Sequence, residues 1–266
     1  MNEVESGVTL PWAKAIGSGP EAVVLLHGWL HSSRRWEHLA PRLAEHMQVL
    51  LVDLPGFGRS RGVKLHEFHI HELAVLTSQV VSNHVRSNTV GAVVGDSLGA
   101  LVALHLTSKQ LLSPGKLVLS GCPALGLSLG TGILLPPLVR LCLGLLPVLP
   151  DSCQDALIRL FGRPLVRRRR VIDSGYCADV KEADPITSAR LLKAIARFSL
   201  REYEFDRALP TLAIRGEYDR IASVRATEVL RQALGANVVS LPGCGHTTMS
   251  EDPERYGDHV IEFLMH

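Results

Sequence analysis

Short runs of apolar residues without polar alternation recur along the chain and are separated by longer segments of helical period. Ala22–Leu26, Gln48–Asp53, Val90–Val94, Lys116–Ser120, Thr211–Arg215 and Asn237–Leu241 read as strands. Between and after them, Arg34–His46, His66–Val85, Leu98–Leu106, Ser223–Leu234 and Glu254–Met265 read as helices. In the second of these, apolar residues fall at Leu73, Leu76, Val80 and Val81, the spacing of one helical face. Strands lacking polar alternation are buried on both faces, and their alternation with helices predicts an α/β fold with a mostly parallel sheet flanked by helices.

The rhythm lapses between Cys122 and about Arg201, where prolines, helical patches and an arginine run replace any clear strand. This predicts a core of residues 1–121 and 202–266 with an inserted helical cap at 122–201. An insertion there leaves and re-enters at the carboxyl edge of the sheet, where ligands of α/β folds bind, and its apolar character predicts the wall of an apolar pocket. Pro123–Pro150 is the most apolar stretch. Arg140, Pro136, Pro137 and Pro147 interrupt it, whereas a spanning helix needs about 20 consecutive apolar residues. No stable membrane insertion is expected.

The pentapeptide Gly95-Asp96-Ser97-Leu98-Gly99 sits between the predicted strand at 90–94 and the predicted helix at 98–106. It fits G-x-S-x-G, in which a serine occupies a sharp strand-to-helix turn with its hydroxyl exposed. The glycines are expected to let the backbone turn without a Cβ clash. A serine hydroxyl becomes a good nucleophile when a base takes its proton, and the base is held by a carboxylate. His246 lies in a loop directly after the last strand, whereas His105, His259 and His266 fall in or beyond helices, so His246 is the candidate base. Asp219 follows the strand at 211–215 and is the candidate orienting acid, with Glu217 as the alternative. The loop after Lys116–Ser120, Gly121-Cys122-Pro123-Ala124, carries no acid. An oxyanion needs preorganised amides. The amide after the nucleophile, Leu98, supplies one, and Trp29 in His27-Gly28-Trp29 is the second candidate. His27 reads as a buried structural histidine and Asp53 as a turn residue.

These segments resemble the α/β-hydrolase superfamily, in its lidded, cofactor-free serine-hydrolase branch. The resemblance rests on His27-Gly28-Trp29, Asp53-Leu54-Pro55-Gly56-Phe57-Gly58-Arg59-Ser60, Gly95–Gly99, Arg215–Asp219, and Gly245-His246 with Glu251-Asp252-Pro253-Glu254. It covers the chain apart from the insertion. It implies an eight-stranded sheet, a helical cap, no cofactor, and Ser97, Asp219 and His246 as a catalytic triad. Asp96 departs from the family pattern, which often has histidine, asparagine or another polar residue there. A carboxylate beside the nucleophile adds negative charge near the oxyanion, so Asp96 is either a solvent-side structural group or a substrate contact.

Composition narrows the reading. Apolar residues make up 46% and charged residues 20% of the 266, and the formal net charge is +2. Nothing in this balance calls for a nucleic-acid partner. The basic run Arg167–Arg170 reads as a solvated face or loop. Five cysteines without a C-x-x-C pair suggest neither a metal site nor a redox motif. His66, His69 and His71 cluster without a metal-binding motif. Met1–Gly7 does not read as a signal peptide, and together with the unpaired thiols this predicts a cytoplasmic location. The expected activity is hydrolysis of an ester or related acyl bond in a small apolar molecule through an acyl-enzyme. Carbon–carbon bond hydrolysis, thioester hydrolysis, and acyl transfer or cyclisation in secondary metabolism use the same triad, and a non-catalytic small-ligand receptor is the rival of a different class. Nothing in the sequence sets an oligomeric state.

Overall fold

Residues 9–85, 90–127, 129–168 and 171–266 are described in this computed structural model of the chain. In chain order the strands are β1 (Ala13–Ile16), β2 (Ala22–Leu26), β3 (Gln48–Val52), β4 (Val90–Asp96), β5 (Lys116–Ser120), β6 (Thr211–Gly216) and β7 (Asn237–Leu241). The helices are α1 (Leu39–Ala44), α2 (Ile70–His84), α3 (Leu98–Ser108), α4 (Leu129–Leu145), α5 (Asp151–Gly162), α6 (Ser174–Glu182), α7 (Pro185–Arg197), α8 (Val224–Leu234), α9 (Thr248–Glu251) and α10 (Pro253–Met265).

The strands form one sheet in the order β1-β3-β2-β4-β5-β6-β7. All neighbours are parallel except β1, which pairs antiparallel with β3. Side chains of β2 alternate between two cores, as the pleat dictates. Ala22, Val24 and Leu26 pack with residues of α2, α3 and α8 such as Leu73, Leu101 and Leu230. Val23 and Leu25 pack with Trp36 and with residues of α1 and α10 such as Leu43 and Val260. Both faces of the central strands are covered, which is why β2, β4 and β6 read as apolar runs.

Several expectations need correction. The sheet has seven strands among the described residues, where the resemblance implied eight. Thr9 forms only an isolated bridge ahead of β1, and Pro11 lacks the N–H that would extend pairing there. The edge strand β1 escaped the sequence reading because Ala-Lys-Ala-Ile is short and carries a lysine at its centre. The helix expected over 34–46 splits into a 3-10 turn at Ser33–Trp36 and α1. Pro41 accounts for the break, because its ring would clash with the carbonyl of Glu37 in a continuous helix. Conversely, Pro136 and Pro137 do not end a helix: α4 runs through both. It forgoes their two hydrogen bonds and packs along α7. Among the described residues no helix is long and apolar enough to cross a membrane.

Between β5 and β6 the chain forms α4, α5, α6 and α7, with no strand among its described residues. A small separate cluster joins α4, α5 and α6, with Leu143, Leu146, Ile158, Val166, Ile172 and Tyr176 buried against one another, whereas Leu191 and Ile195 of α7 belong to the main core. Much of the remaining apolarity of this segment does not face inward. Ile133, Leu134, Leu138, Leu141 and Leu145 of α4 are exposed.

Candidate active site

The parallel strands end together, so the loops after β2, β4, β6 and β7 meet at one edge of the sheet. Ser97 occupies the turn from β4 into α3 with φ +51° and ψ −108°, a backbone conformation that costs of order 1–3 kcal/mol for a residue with a Cβ. The strain therefore falls on the serine itself, not on the flanking glycines, neither of which has positive φ. Gly95 and Gly99 answer a different need. A Cβ on Gly95 would collide with the Gly99 backbone, and one on Gly99 with the Leu26 carbonyl, so their absence lets α3 start directly against β2 and β4. The Ser97 amide donates to the Ser120 carbonyl at 2.8 Å, which ties the turn to β5.

The structure brings Ser97, His246 and Asp219 into one hydrogen-bonded chain. His246 Nδ1 lies 3.1 and 3.0 Å from the two Asp219 carboxylate oxygens, and Nε2 lies 3.1 Å from Ser97 Oγ. With Nδ1 donating to the carboxylate, Nε2 is the acceptor for the serine proton. Asp219 Oδ1 also accepts from the amides of Ile221 and Ala222 at 2.8 and 2.9 Å. Burial pushes the Asp219 carboxyl up, but the His246 charge and hydrogen bond, with these two amides, outweigh it and hold the group below its ordinary range. For His246, burial pushes the imidazole down. The charge and hydrogen bond of Asp219, then the charges of Asp96 and Glu251, overcome that and raise it above 6.5. Glu217, the alternative acid, is not at the site: it accepts from the Gly243 amide at 2.9 Å on the exposed side of the loop.

Leu98 is the first residue of α3, where an amide has no intrahelical acceptor and the helix dipole is positive. The Trp29 amide has no backbone acceptor among the described residues. Its indole Nε1 donates to the Ser188 carbonyl of α7 at 2.9 Å, fixing the loop after β2 against the inserted helices. His27 is structural, as its context suggests. Nε2 accepts from the Leu54 amide at 2.8 Å, which leaves Nδ1 to donate to the Gly28 carbonyl at 2.8 Å. Asp53 likewise serves its turn, accepting from the amides of Ser33 and Arg59 at 2.7 and 2.9 Å.

Asp96 is not on the solvent side. Its pairing with Ser120 extends β4 into the elbow and leaves the residue 3% exposed, with Oδ1 buried and unpartnered. Gly28 makes the room: a Cβ there would stand 2.9 Å from Asp96 Oδ2 and 3.3 Å from Ser97 Cβ. Burial pushes the carboxyl up to about 6, against the charges of His246 and Arg35 and with that of Asp219.

Two acids that the sequence reading left without a role hold the loops in place. Glu251 is fully buried. Its Oε1 accepts from the Gly245 amide at 2.9 Å and from Thr247 Oγ1 at 3.3 Å, and its Oε2 from the amides of Arg167 and Arg168 at 2.7 and 2.8 Å. The His246 amide donates to the Leu165 carbonyl at 2.8 Å in the same seam. Asp179 of α6 accepts from the Ser32 amide and hydroxyl at 3.1 and 2.7 Å and from Arg34 at 2.9 Å. The only sequence signal for Glu251 was its place in a segment matching the family, and Asp179 had none. The arginine run is not simply solvated. Arg168 bonds the Glu251 carbonyl and pairs with Asp252 at 3.1 Å, and Arg167 lies over the Tyr218 ring. Arg169 and Arg170 lie outside the described residues.

A profile of the alpha/beta hydrolase family matches residues 23–258. Over 262 residues the chain is 26% identical to a pimeloyl-[acyl-carrier protein] methyl ester esterase of Pectobacterium carotovorum, covering 96% of this chain and 98% of the relative. A protein of the same description from Sodalis glossinidius is 42% identical over 98 residues, 36% of this chain and 34% of that one. Among solved structures, an esterase from Exiguobacterium antarcticum superposes with a TM-score of 0.78 at 20% identity, covering 96% of each chain. The elbow, the loops at one sheet edge and the profile spanning nearly the whole sheet agree: the chain belongs to the alpha/beta hydrolase family.

Proposed function

We propose that this protein is a serine esterase that cleaves a carboxylic ester of a small, apolar acyl substrate through an acyl-enzyme. The observation that carries this reading is the hydrogen-bonded chain from Ser97 Oγ through the His246 imidazole to the Asp219 carboxylate. The ester-cleaving description of the full-length relative supports the bond type.

In this mechanism Ser97 Oγ attacks the ester carbonyl as its proton passes to His246 Nε2. Asp219 holds the imidazole in the required tautomer and stabilises the imidazolium. The Leu98 and Trp29 amides receive the developing oxyanion; one such donor is worth on the order of 3 kcal/mol of barrier. Collapse of the tetrahedral intermediate expels the alcohol, which takes the proton from His246. Water, deprotonated by the same imidazole, then releases the acid and restores Ser97. Residues 122–201 act as a cap over a core of 1–121 and 202–266, attached through Trp29–Ser188, Ser32–Asp179 and the Glu251 seam. All five cysteines are free, which supports a reducing, cytoplasmic setting. Labelling the folded protein with a fluorophosphonate tests the assignment. A single adduct on Ser97 is expected, and no adduct would favour a ligand receptor over an esterase.

Asp96 gives the activity a distinctive pH profile. His246 must be neutral to act as base, so kcat/KM rises with pH through its titration, and a raised pKa moves that acid limb above 6.5. Asp96 contributes to the raising, so Asp96→Asn is expected to move the limb to lower pH. A limb that stays put or moves up would show that Asp96 does not act on the base. Asp96 is also a candidate substrate contact: a change of KM in the same variant at fixed kcat would place it there.

A further inference from the structure

Among the described residues sixteen large apolar side chains are exposed, and ten of them fall between Ile133 and Phe161. They lie on α4, on the short 3-10 turn that follows it, and on α5. Soluble chains rarely leave so concentrated an apolar surface open, and a patch beyond a few hundred Å² marks an interaction site.

The distribution says what kind of partner fits. Ile133, Leu134 and Leu135 are consecutive and exposed at 61%, 72% and 39%, so the free arc of α4 spans about 200°. Leu138, Leu141 and Leu145 continue it along the helix, and Val148 extends it past the end at 76% exposure. A rigid partner helix meets a narrow stripe, whereas fluid acyl chains wrap a broad arc. Pro136 and Pro137 inside α4 also disfavour the straight seam that a helical partner needs. The opposite side is already used, by Leu143 and Leu146 against Ile158 and Tyr176.

The charge is equally one-sided. Residues 122–170 carry seven arginines and two aspartates in a chain of net charge +2, and of the arginines Arg159, Arg167 and Arg168 are engaged by the Ile172 carbonyl, the Tyr218 ring and Asp252. Both aspartates, Asp151 and Asp155, pair with Lys181 at 3.4 and 2.8 Å. Arg140 is exposed beside Pro137, Leu141 and Leu145, and Arg163 is exposed directly after α5. An apolar face flanked by arginine is the pattern of a helix lying in the interface of an anionic membrane.

We propose that the outer face of α4 seats reversibly in the surface of an anionic lipid bilayer, with its leucines in the acyl boundary and Arg140 at the headgroups. The docking does not depend on catalysis and is read without it. The full chain is floated with vesicles of equal parts phosphatidylcholine and phosphatidylglycerol, alongside vesicles of phosphatidylcholine alone. The wild type is expected to float with the mixed vesicles and to bind the neutral ones more weakly. Leu134→Glu combined with Leu141→Glu should lower partitioning about tenfold or more, and Arg140→Gln about fivefold. Both substitutions lie on exposed positions, so melting temperature and turnover of a soluble short-chain ester should stay at wild-type values. Absence of flotation, or equal flotation of the double variant, would overturn the proposal. So would light scattering that shows a dimer, abolished by the same leucine changes, without vesicle binding; the face would then be an interface between copies.

Discussion

Ser97→Ala is expected to lower turnover of p-nitrophenyl esters by roughly 10⁴-fold or more, with little change in melting temperature. The substitution removes Oγ, the atom 3.1 Å from His246 Nε2, and among the described residues no other hydroxyl hydrogen-bonds that nitrogen. In the proposed mechanism the amides of Leu98 and Trp29 remain, with whatever water His246 can activate, and would give a residual rate above the uncatalysed one. Alanine keeps the Cβ, so it inherits the strain of φ +51° and gains nothing by relieving it. Stability should move only by the value of one hydrogen bond, about 1 kcal/mol. Because nucleophile and base act as a unit, adding His246→Ala should cost little beyond the single change. Steady-state kinetics with thermal unfolding on both variants checks this. Near-normal turnover by Ser97→Ala would end the acyl-enzyme reading, and a collapsed melting temperature would mean that the loss was one of fold.

The parts of this architecture that were legible in the sequence are those fixed by local chemistry. β2, β4 and β6 are buried on both faces, so their apolar runs stand out against the helical period around them. The elbow is marked because glycine alone fits where α3 starts against β2 and β4. Asp219 and His246 could be placed because each follows such a run within a few residues. What escaped depends on partners far away in the chain. β1 is an edge strand of only four residues, too short to show a period of its own. The burial of Asp96 depends on the space left by Gly28, 68 positions earlier. α4 continues through Pro136–Pro137 with α7 packed along it, a contact no local rule contains. The roles of Asp179 and Glu251 exist only once the inserted helices close on the loops after β2 and β7.

Glu251 is where that distant dependence should be costly. Its carboxylate accepts four hydrogen bonds from two separate stretches, from Gly245 and Thr247, which flank His246, and from the amides of Arg167 and Arg168. In Glu251→Gln the side chain keeps its volume, but one acceptor oxygen becomes a donor and must face amides that also donate. A buried donor left without an acceptor costs about 1–3 kcal/mol. Turned toward Arg167 and Arg168 the new amino group strands two amides, and turned toward Gly245 it strands one, because the Thr247 hydroxyl can rotate to accept from it, so a loss of about 1–3 kcal/mol of stability is expected. Activity should fall as well, because His246 is held between Gly245 and Thr247 and its own amide bonds Leu165 across the same seam. A displacement of the imidazole by about 1 Å can cost on the order of 10²-fold in rate. The two effects separate by temperature. Well below the melting transition the variant should be folded by circular dichroism, yet show lowered kcat and slowed fluorophosphonate labelling of Ser97. Chemical denaturation measures the stability loss directly. If Glu251→Gln unfolds within about 0.5 kcal/mol of wild type and labels at the same rate, the carboxylate does not position the base. The seam between the loop after β7 and residues 165–168 would then be held by the His246–Leu165 hydrogen bond and by Arg168 on Asp252 and on the Glu251 carbonyl.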